Sequence, residues 1–408
     1  MRVRGSGKRQ YAVGLDAGSS FTRCVILSAE DNKLRFLGHG SVPSIGWQKG
    51  RIGDPLALST CIQAAVREAE HQAQVPVESL VAGIAGGTIE GGINRGVYEC
   101  GRAARPITQD ELIFAAERAA RVRLEDDRTL LHVFPQDFNV DGRAGYRNPR
   151  GMTCSRLEAN VYVLTVATQE HDALITAVHH AHYAVEETVF EPVAAAYAAI
   201  VTQDRARGVA LLDIGLHSSD LLVYDGESVV LALSLPLCAD HFTRDTAYGL
   251  TVSYEDAERL KIECGCAILG LTADNSVIEV PSQEGRPPRE AARRVLNDIL
   301  DARAEQLFYM VKGELARAGM DQSLFEGLVL TGGGALLNGM CDMAERVMNC
   351  PARNGLAQGI QHWPDYLNNA AWTTAAGLAM YSGRLNTHVK VKRDWRPKAP
   401  GLVGLILR

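Results

Sequence analysis

One strand–turn–strand unit occurs twice in this chain, about half its length apart, and no other feature restricts the fold as much. In the first copy an apolar strand ends at Asp16-Ala17-Gly18-Ser19-Ser20 and a second returns through Val25, Ile26 and Leu27. In the second copy, Val209 to Leu212 leads into Asp213-Ile214-Gly215-Leu216-His217-Ser218, and the chain returns from Asp220 through Leu221, Leu222 and Val223. Apolar runs joined by short turns of small polar residues read as β-hairpins. Two halves that open on the same unit predict duplicated α/β domains facing one another.

Each Asp-x-Gly turn sets a carboxylate beside backbone N–H groups that can point at an anion, and its glycine lets the main chain approach a phosphate. Carboxylate and phosphate repel unless a cation intervenes, so Asp16 and Asp213 are read as Mg²⁺-associated, through water. A third segment, Leu330-Thr331-Gly332-Gly333-Gly334-Ala335, is a strand feeding a glycine run, against which a base or ribose-phosphate can lie. The plain alternative is three tight turns of an ordinary α/β protein; their order and spacing favour a nucleotide site.

Composition limits what else the chain can be. The 408 residues carry 42 Lys+Arg against 48 Asp+Glu, a net charge of −6, which argues against gripping nucleic acid through bulk positive charge. No apolar run reaches the ~18–20 residues of a membrane span. Arg2, Arg4, Lys8 and Arg9 are followed by no apolar stretch, so no secretory signal is expected. Nine cysteines without a CxxC pair read as reduced thiols of a cytoplasmic protein. Cys264-Gly265-Cys266 reads as packing residues, with metal or redox work as the minor alternative.

Between the hairpins the pattern alternates as an α/β chain should. Helices are expected over 57–73, from the capping box Thr108–Glu111 to about 122, over 174–185, from Glu191-Pro192, over 253–264, 288–318 and 372–382. Strands are expected over 81–86, 130–139 and 157–168. His179, His180 and His182 invite a metal reading, but only His179 and His182 would share a helical face and no carboxylate completes a set.

With Glu191-Pro192-Val193-Ala194-Ala195 and Thr373-Thr374-Ala375-Ala376-Gly377, the two hairpins and the glycine run resemble the five nucleotide motifs of the actin/Hsp70/sugar-kinase superfamily. Within it, the chain resembles the FtsA family of bacterial cell-division proteins over nearly its whole length. The specific likeness lies outside the nucleotide motifs, in Leu131 to Phe138 with Pro135-Gln136, in Asn148 to Met152, in Gly285-Arg286-Pro287-Pro288-Arg289, in Ala257 to Lys261 and in Ser41 to Gly50.

The resemblance implies an actin-like, two-lobed α/β ATP-binding fold of four subdomains, one of them in the family's unusual position. Its expected boundaries are a flexible 1–10; subdomain IA from 11–84, 166–199 and 365–387; subdomain IC at 85–165; subdomain IIA from 200–234 and 307–364; subdomain IIB at 235–306; and a tail at 388–408. The implied ATP·Mg contacts are Asp16, Gly18, Ser19, Ser20, Asp213, Gly215, Ser218, Gly332, Gly333 and Gly334, with Glu258 and Lys261 near the adenosine. Glu191 is implied near an attacking water; the blander role is an acidic residue favoured by a helix N-terminus. The second phosphate loop departs from the family's Asp-x-Gly-Gly-Gly-Thr at Leu216 and His217, so binding is expected with weak or no hydrolysis. His217 is expected to face solvent, with phosphate contact as the alternative.

The implied partners are the C-terminal tail of the tubulin-like protein FtsZ, met by Arg286, Arg289 and Arg303, and a second copy of the chain in a head-to-tail filament. An anionic membrane and later division proteins complete the set. The last residues place Lys390, Lys392, Arg393, Arg396 and Lys398 before an apolar end, with Trp395, Leu402, Leu405 and Ile406 as membrane contacts. Pro397, Pro400, Gly401 and Gly404 weaken a helix there, and a frayed terminus is the alternative. The implied work is to tether the FtsZ ring to the cytoplasmic face of the membrane at the division site. An assembly protein of a pilus or secretion platform is the alternative, and a small-molecule kinase a more distant one.

Overall fold

The computed structural model describes residues 10–391, apart from 31–32, 102–103, 122–123, 227, 274, 282–286 and 321–323. Both Asp-x-Gly segments are hairpins. Strand Gln10–Ala17 pairs antiparallel with Phe21–Glu30, and Val209–Ile214 pairs antiparallel with Ser219–Asp225. Each hairpin sits in the middle of its own sheet. The first sheet runs Ala184–Phe190, Ser79–Ile84, Gln10–Ala17, Phe21–Glu30, Lys33–Pro43, Ile360–Gln361. The second runs Ser228–Leu235, Ser219–Asp225, Val209–Ile214, Leu328–Thr331, Ala352–Asn354.

Both central strands are buried on two faces, which is why they read as unbroken apolar runs. Val209 and Leu211 point into the first lobe's core, whereas Ala210, Leu212 and Ile214 point into the second lobe's own core. Val13 and Leu15 likewise face the first core, while Ala12 faces Ala375 and Ala379 of the helix Thr373–Val391.

Side chains cap several of the helix starts. Asp54 caps Pro55–Ala73, its Oδ1 accepting from Leu56 N and Ala57 N at 3.0 Å, and Leu58, Ile62, Ala65 and Ala69 form the buried stripe. The Thr108–Glu111 capping box opens Gln109–Ala120, and Ser253 caps Tyr254–Cys264. Three expected helices move. The one placed at 174–185 runs Thr168–His180, because His182 turns the chain at φ 69° and Ala184–Phe190 joins the parallel sheet instead. His182 therefore shares no helical face with His179. The helix placed at 288–318 begins at Arg293, because Arg289–Ala292 pairs with Val277–Val280. The last helix extends well beyond 382, to Val391.

Between the first-lobe strands Ser79–Ile84 and Ala184–Phe190 the chain makes a separate antiparallel sheet. Its order is Arg143–Tyr146, Arg128–Val140, Arg156–Ala167, Glu90–Glu99, and Gln109–Ala120 covers one face. Pro135 sits at a register shift in this sheet, and Gln136 Nε2 donates to Val229 O of the second lobe's edge strand. Tyr162 Oη accepts from Ala232 N at 3.0 Å on the same edge.

Two glycines let the final helix pack closely. A Cβ on Gly14 would run into the main chain at Ala379, and one on Gly377 into the main chain at Ala194. Gly377→Val is expected to destabilise the protein by at least about 2 kcal/mol, since overpacking at a backbone contact finds no rotamer relief; urea unfolding measures it.

Candidate functional site

Every nucleotide-site residue expected from the sequence lines one cavity of about 590 Å³ between the lobes. Asp16, Gly18, Ser19 and Ser20 come from the first hairpin, and Asp213, Gly215 and Ser218 from the second. Gly332, Gly333 and Gly334 follow the strand Leu328–Thr331, Glu258 and Lys261 lie on Tyr254–Cys264, and Glu191 opens the helix Glu191–Ala199.

The local chemistry explains each placement. Gly332 has φ 82°, and a Cβ there would strike Asp213 and the Ile214 carbonyl, so the glycine run lies flat against the second hairpin. A Cβ on Gly333 would meet nothing within 4 Å; it would project into open cleft. Lys261 Nζ lies 2.6 Å from Glu258 Oε2 and donates to Thr243 Oγ1 at 2.8 Å, so one helical turn holds a buried ammonium and its carboxylate together. Thr374 Oγ1 donates to Asp213 Oδ2 at 2.6 Å and ties the final helix to the second hairpin. Across the lobes, Gly86 N donates to Asp220 Oδ1 at 3.2 Å, and within the second hairpin Ser218 Oγ donates to Asp220 Oδ2 at 2.7 Å.

The floor of the cleft is acidic. Asp16, Asp213 and Asp220 are 6%, 7% and 2% exposed, so none is freely hydrated. Removal from water pushes Asp16 up to about 6, the Arg23 guanidinium opposing and Asp213 adding to the rise. Burial takes Asp220 to about 6 as well, against the hydroxyl and N–H donors around it. Glu191 rises well above the ordinary carboxylate range, first from desolvation and then from Asp16, Asp213 and Asp220. Carboxylates gathered in this way are costly unless a cation joins them, so the site suits a divalent ion. Among the described residues no three His, Cys, Asp or Glu side chains converge to hold one directly. A Mg²⁺ ion here would be held largely by water and by phosphate oxygens. A cation there would favour the ionised form of Glu191, which could then accept from a water, whereas burial alone favours the protonated form.

Other expectations fare differently. His217 does not face open solvent: it is half-buried in the cleft wall, against Gly50, and its Nδ1 is buried without a hydrogen-bond partner. Of the partner arginines, Arg289 and Arg303 lie outside the cavity. Arg289 Nη2 donates to Leu250 O at 2.7 Å, and Arg303 Nε donates to Asp245 Oδ2 at 2.7 Å, so both grip the helix Ala239–Leu250. On that helix Tyr248 is 90% exposed. Arg286, Trp395, Leu402, Leu405 and Ile406 lie outside the described residues. Sequence reading missed Arg23, which lines the cavity through its pairing opposite Asp16; only strand register reveals it.

Comparison with known proteins places this geometry in a family. Residues 210–377 match the family model "Cell division protein FtsA", and 86–165 match "SHS2 domain inserted in FTSA". The chain is 32% identical over 380 residues to the cell division protein FtsA of Pseudomonas aeruginosa, covering 92% of this chain and 89% of that protein. The chain belongs to the FtsA family of cell-division proteins. Its inserted antiparallel sheet is the FtsA-specific SHS2 domain. Among solved structures, the PilM-PilN type IV pilus biogenesis complex is similar with a TM-score of 0.66 at 17% identity, covering 92% of this chain and 99% of that one. MreB 5 of Spiroplasma citri bound to AMPPNP is similar with a TM-score of 0.56 at 13% identity, covering 95% and 99%. The FtsA-family chain therefore has the actin-like α/β fold. Among the described residues no helix is long and apolar enough to cross a membrane.

The raised carboxyls of this FtsA-family cleft set a pH dependence. A folded-state pKa above the unfolded one contributes stability that is full below about pH 4 and is lost as pH rises through about 6. Urea midpoints of the ligand-free chain, corrected against Asp220→Asn, are expected to show that loss between pH 4 and 6, the variant being flatter.

Proposed function

We propose that this FtsA-family chain binds ATP·Mg between its lobes and works as a nucleotide-responsive, actin-like scaffold of the division ring. The observation that carries this reading is the convergence of all five motif segments on one cleft whose floor is buried carboxylate and whose wall is glycine main chain. The proposed contacts are Asp16, Gly18, Ser19 and Ser20 on one side of the phosphates and Asp213, Gly215 and Ser218 on the other. Mg²⁺ lies near Asp16 and Asp213 through water, and the adenosine lies by Gly332, Gly333, Gly334, Glu258 and Lys261. Closure by ATP favours head-to-tail contact with a second copy, because a ligand bound to both lobes shifts the population towards the closed form. The bulky Leu216–His217 turn supports weak turnover or none.

The chain divides into subdomains IA (11–84, 166–199 and 365–387), IC (85–165), IIA (200–234 and 307–364) and IIB (235–306). Arg286, Arg289 and Arg303 form a surface for the acidic, partly apolar tail of FtsZ, with exposed Tyr248 between the two described arginines' contacts supplying apolar area. The tail at 388–408 lies on the cytoplasmic face of the membrane, weakly alone and firmly when many copies are linked. Later division proteins join the assembled scaffold.

Two measurements test the core and the partner surface. Gly333→Val is expected to weaken ATP·Mg binding at least about tenfold while leaving the melting temperature within a degree or two, since its Cβ enters cleft and not core. Saturable ATP·Mg binding that the variant leaves intact would overturn the proposed pose. Because Arg303 is already paired with Asp245, Asp245→Asn is expected to tighten binding of an FtsZ tail peptide about threefold or more, and Arg303→Ala to weaken it. Fluorescence anisotropy reads both.

A further inference from the structure

We propose that Cys100 and Cys154 are a modification site, at which a peroxide converts a thiol pair into a disulfide that staples the inserted domain. Their sulfurs lie 2.8 Å apart, less than about 1 Å beyond the ~2.05 Å of a disulfide bond. Strand pairing holds them there from both sides. Cys100 N donates to Ser155 O at 2.8 Å and so extends the ladder in which Glu99 faces Arg156. The chain then returns, and Arg105–Pro106 pairs antiparallel with Thr153–Cys154. Arg105 Nε donates to Cys100 O at 3.1 Å, which fixes the backbone at the end of the first strand. Both cysteines belong to the domain's core, with Ile107, Leu112 and Val140.

Packing alone does not call for two sulfurs in contact. Other buried thiols of the chain meet oxygen: Cys61 Sγ lies 3.5 Å from Pro43 O, and Cys266 Sγ 3.3 Å from Ile268 O. Cys100 and Cys154 meet each other. Cys100 is 5% exposed and Cys154 0%, so the oxidant reaches Cys100 first. With hydrogen peroxide, the Cys100 sulfur attacks one oxygen, the O–O bond breaks, and a sulfenic acid and one water result. Cys154 Sγ then attacks the sulfenyl sulfur; the S–S bond forms, and the hydroxyl leaves with the Cys154 proton as a second water. The thiol pair gives up two electrons and the peroxide takes them. Burial, and then Cys100, Asp141 and Glu111, push the Cys154 thiol up to about 12. It is therefore the resolving partner, and the pair stays reduced until an oxidant has acted on Cys100. The two residues are 54 apart in sequence, so the bond closes a loop that holds Gln109–Ala120 and Arg128–Val140 and restricts its open states. Neither cysteine lines the cleft between the lobes, so formation of the bond does not require nucleotide.

In the test, the full chain is treated with hydrogen peroxide without denaturant, quenched with iodoacetamide in denaturant, digested and read by mass spectrometry. The expected product is a peptide pair joined through Cys100 and Cys154, at least about tenfold more abundant than any other disulfide and reversed by dithiothreitol. In Cys154→Ala, Cys100 is expected to stop at the sulfenic acid, which dimedone traps. Amide hydrogen exchange across Gln109–Ala120 is expected to slow at least about tenfold in the oxidised chain relative to the reduced one. Recovery of Cys100 and Cys154 as separate alkylated thiols would overturn the proposal, and wild-type protein suffices to see it. Pairing of either one with the more exposed Cys264, Cys341 or Cys350 as often as with the other would overturn it too. Equal exchange in the two forms would remove the staple.

Discussion

The site depends on one close crossing of helices. Gly377 lets the final helix lie against the main chain of Glu191–Ala199 at Ala194, and no larger residue fits between them. That contact aims two side chains at one point. Glu191 emerges at the mouth of its helix over Gly83, and Thr374 reaches across to donate to Asp213 of the other lobe. Two hairpins far apart in sequence are thereby held face to face by a pair of helices that belong to the first lobe. Small residues are used here for approach, while specificity comes from the few polar groups at the helix starts.

The electrostatics of the cleft follow from that approach. Asp16, Asp213 and Asp220 are buried where like charges are close and water is scarce, which raises the cost of ionising them together. Such a floor is a stored preference for cations, and Arg23 meets part of it from within the chain. The same carboxylates also bridge the lobes: Asp220 accepts from Gly86, the first glycine of the turn that leads into the inserted sheet. The phosphate end of the cleft and the entry to the inserted domain therefore share a hydrogen bond. That domain is also tied to the second lobe through Gln136 and Tyr162. A change in lobe angle must either carry the inserted domain or break these bonds.

Most of the fold was legible because its signals are local. The Thr108–Glu111 box starts a helix by satisfying its first N–H groups, and the hairpins follow from small polar turns between apolar runs. The failures are places where a long-range partner outbids a local preference. Residues 289–292 carry ordinary helical composition, yet they pair with Val277–Val280. Val185 continues an apolar spacing that suits a helix, yet a left-handed turn at His182 sends it into the parallel sheet.

By itself, the sequence determined which residue types would meet: two Asp-x-Gly turns, a glycine run, and two small-residue helix starts, each recognisable because turn and cap chemistry lies within a few neighbours. It also determined the family, since those motifs and the Pro135-Gln136 segment recur together over the chain. Tertiary structure decided what those residues experience. Whether Asp16 is ionised, whether His217 faces water, and whether Arg303 is already paired depend on groups distant in sequence and a few ångströms away in space. Arg23 is the clearest case. In the sequence it is an arginine in an apolar strand; antiparallel register turns it to Asp16, and Trp372 from the other end of the chain closes over it.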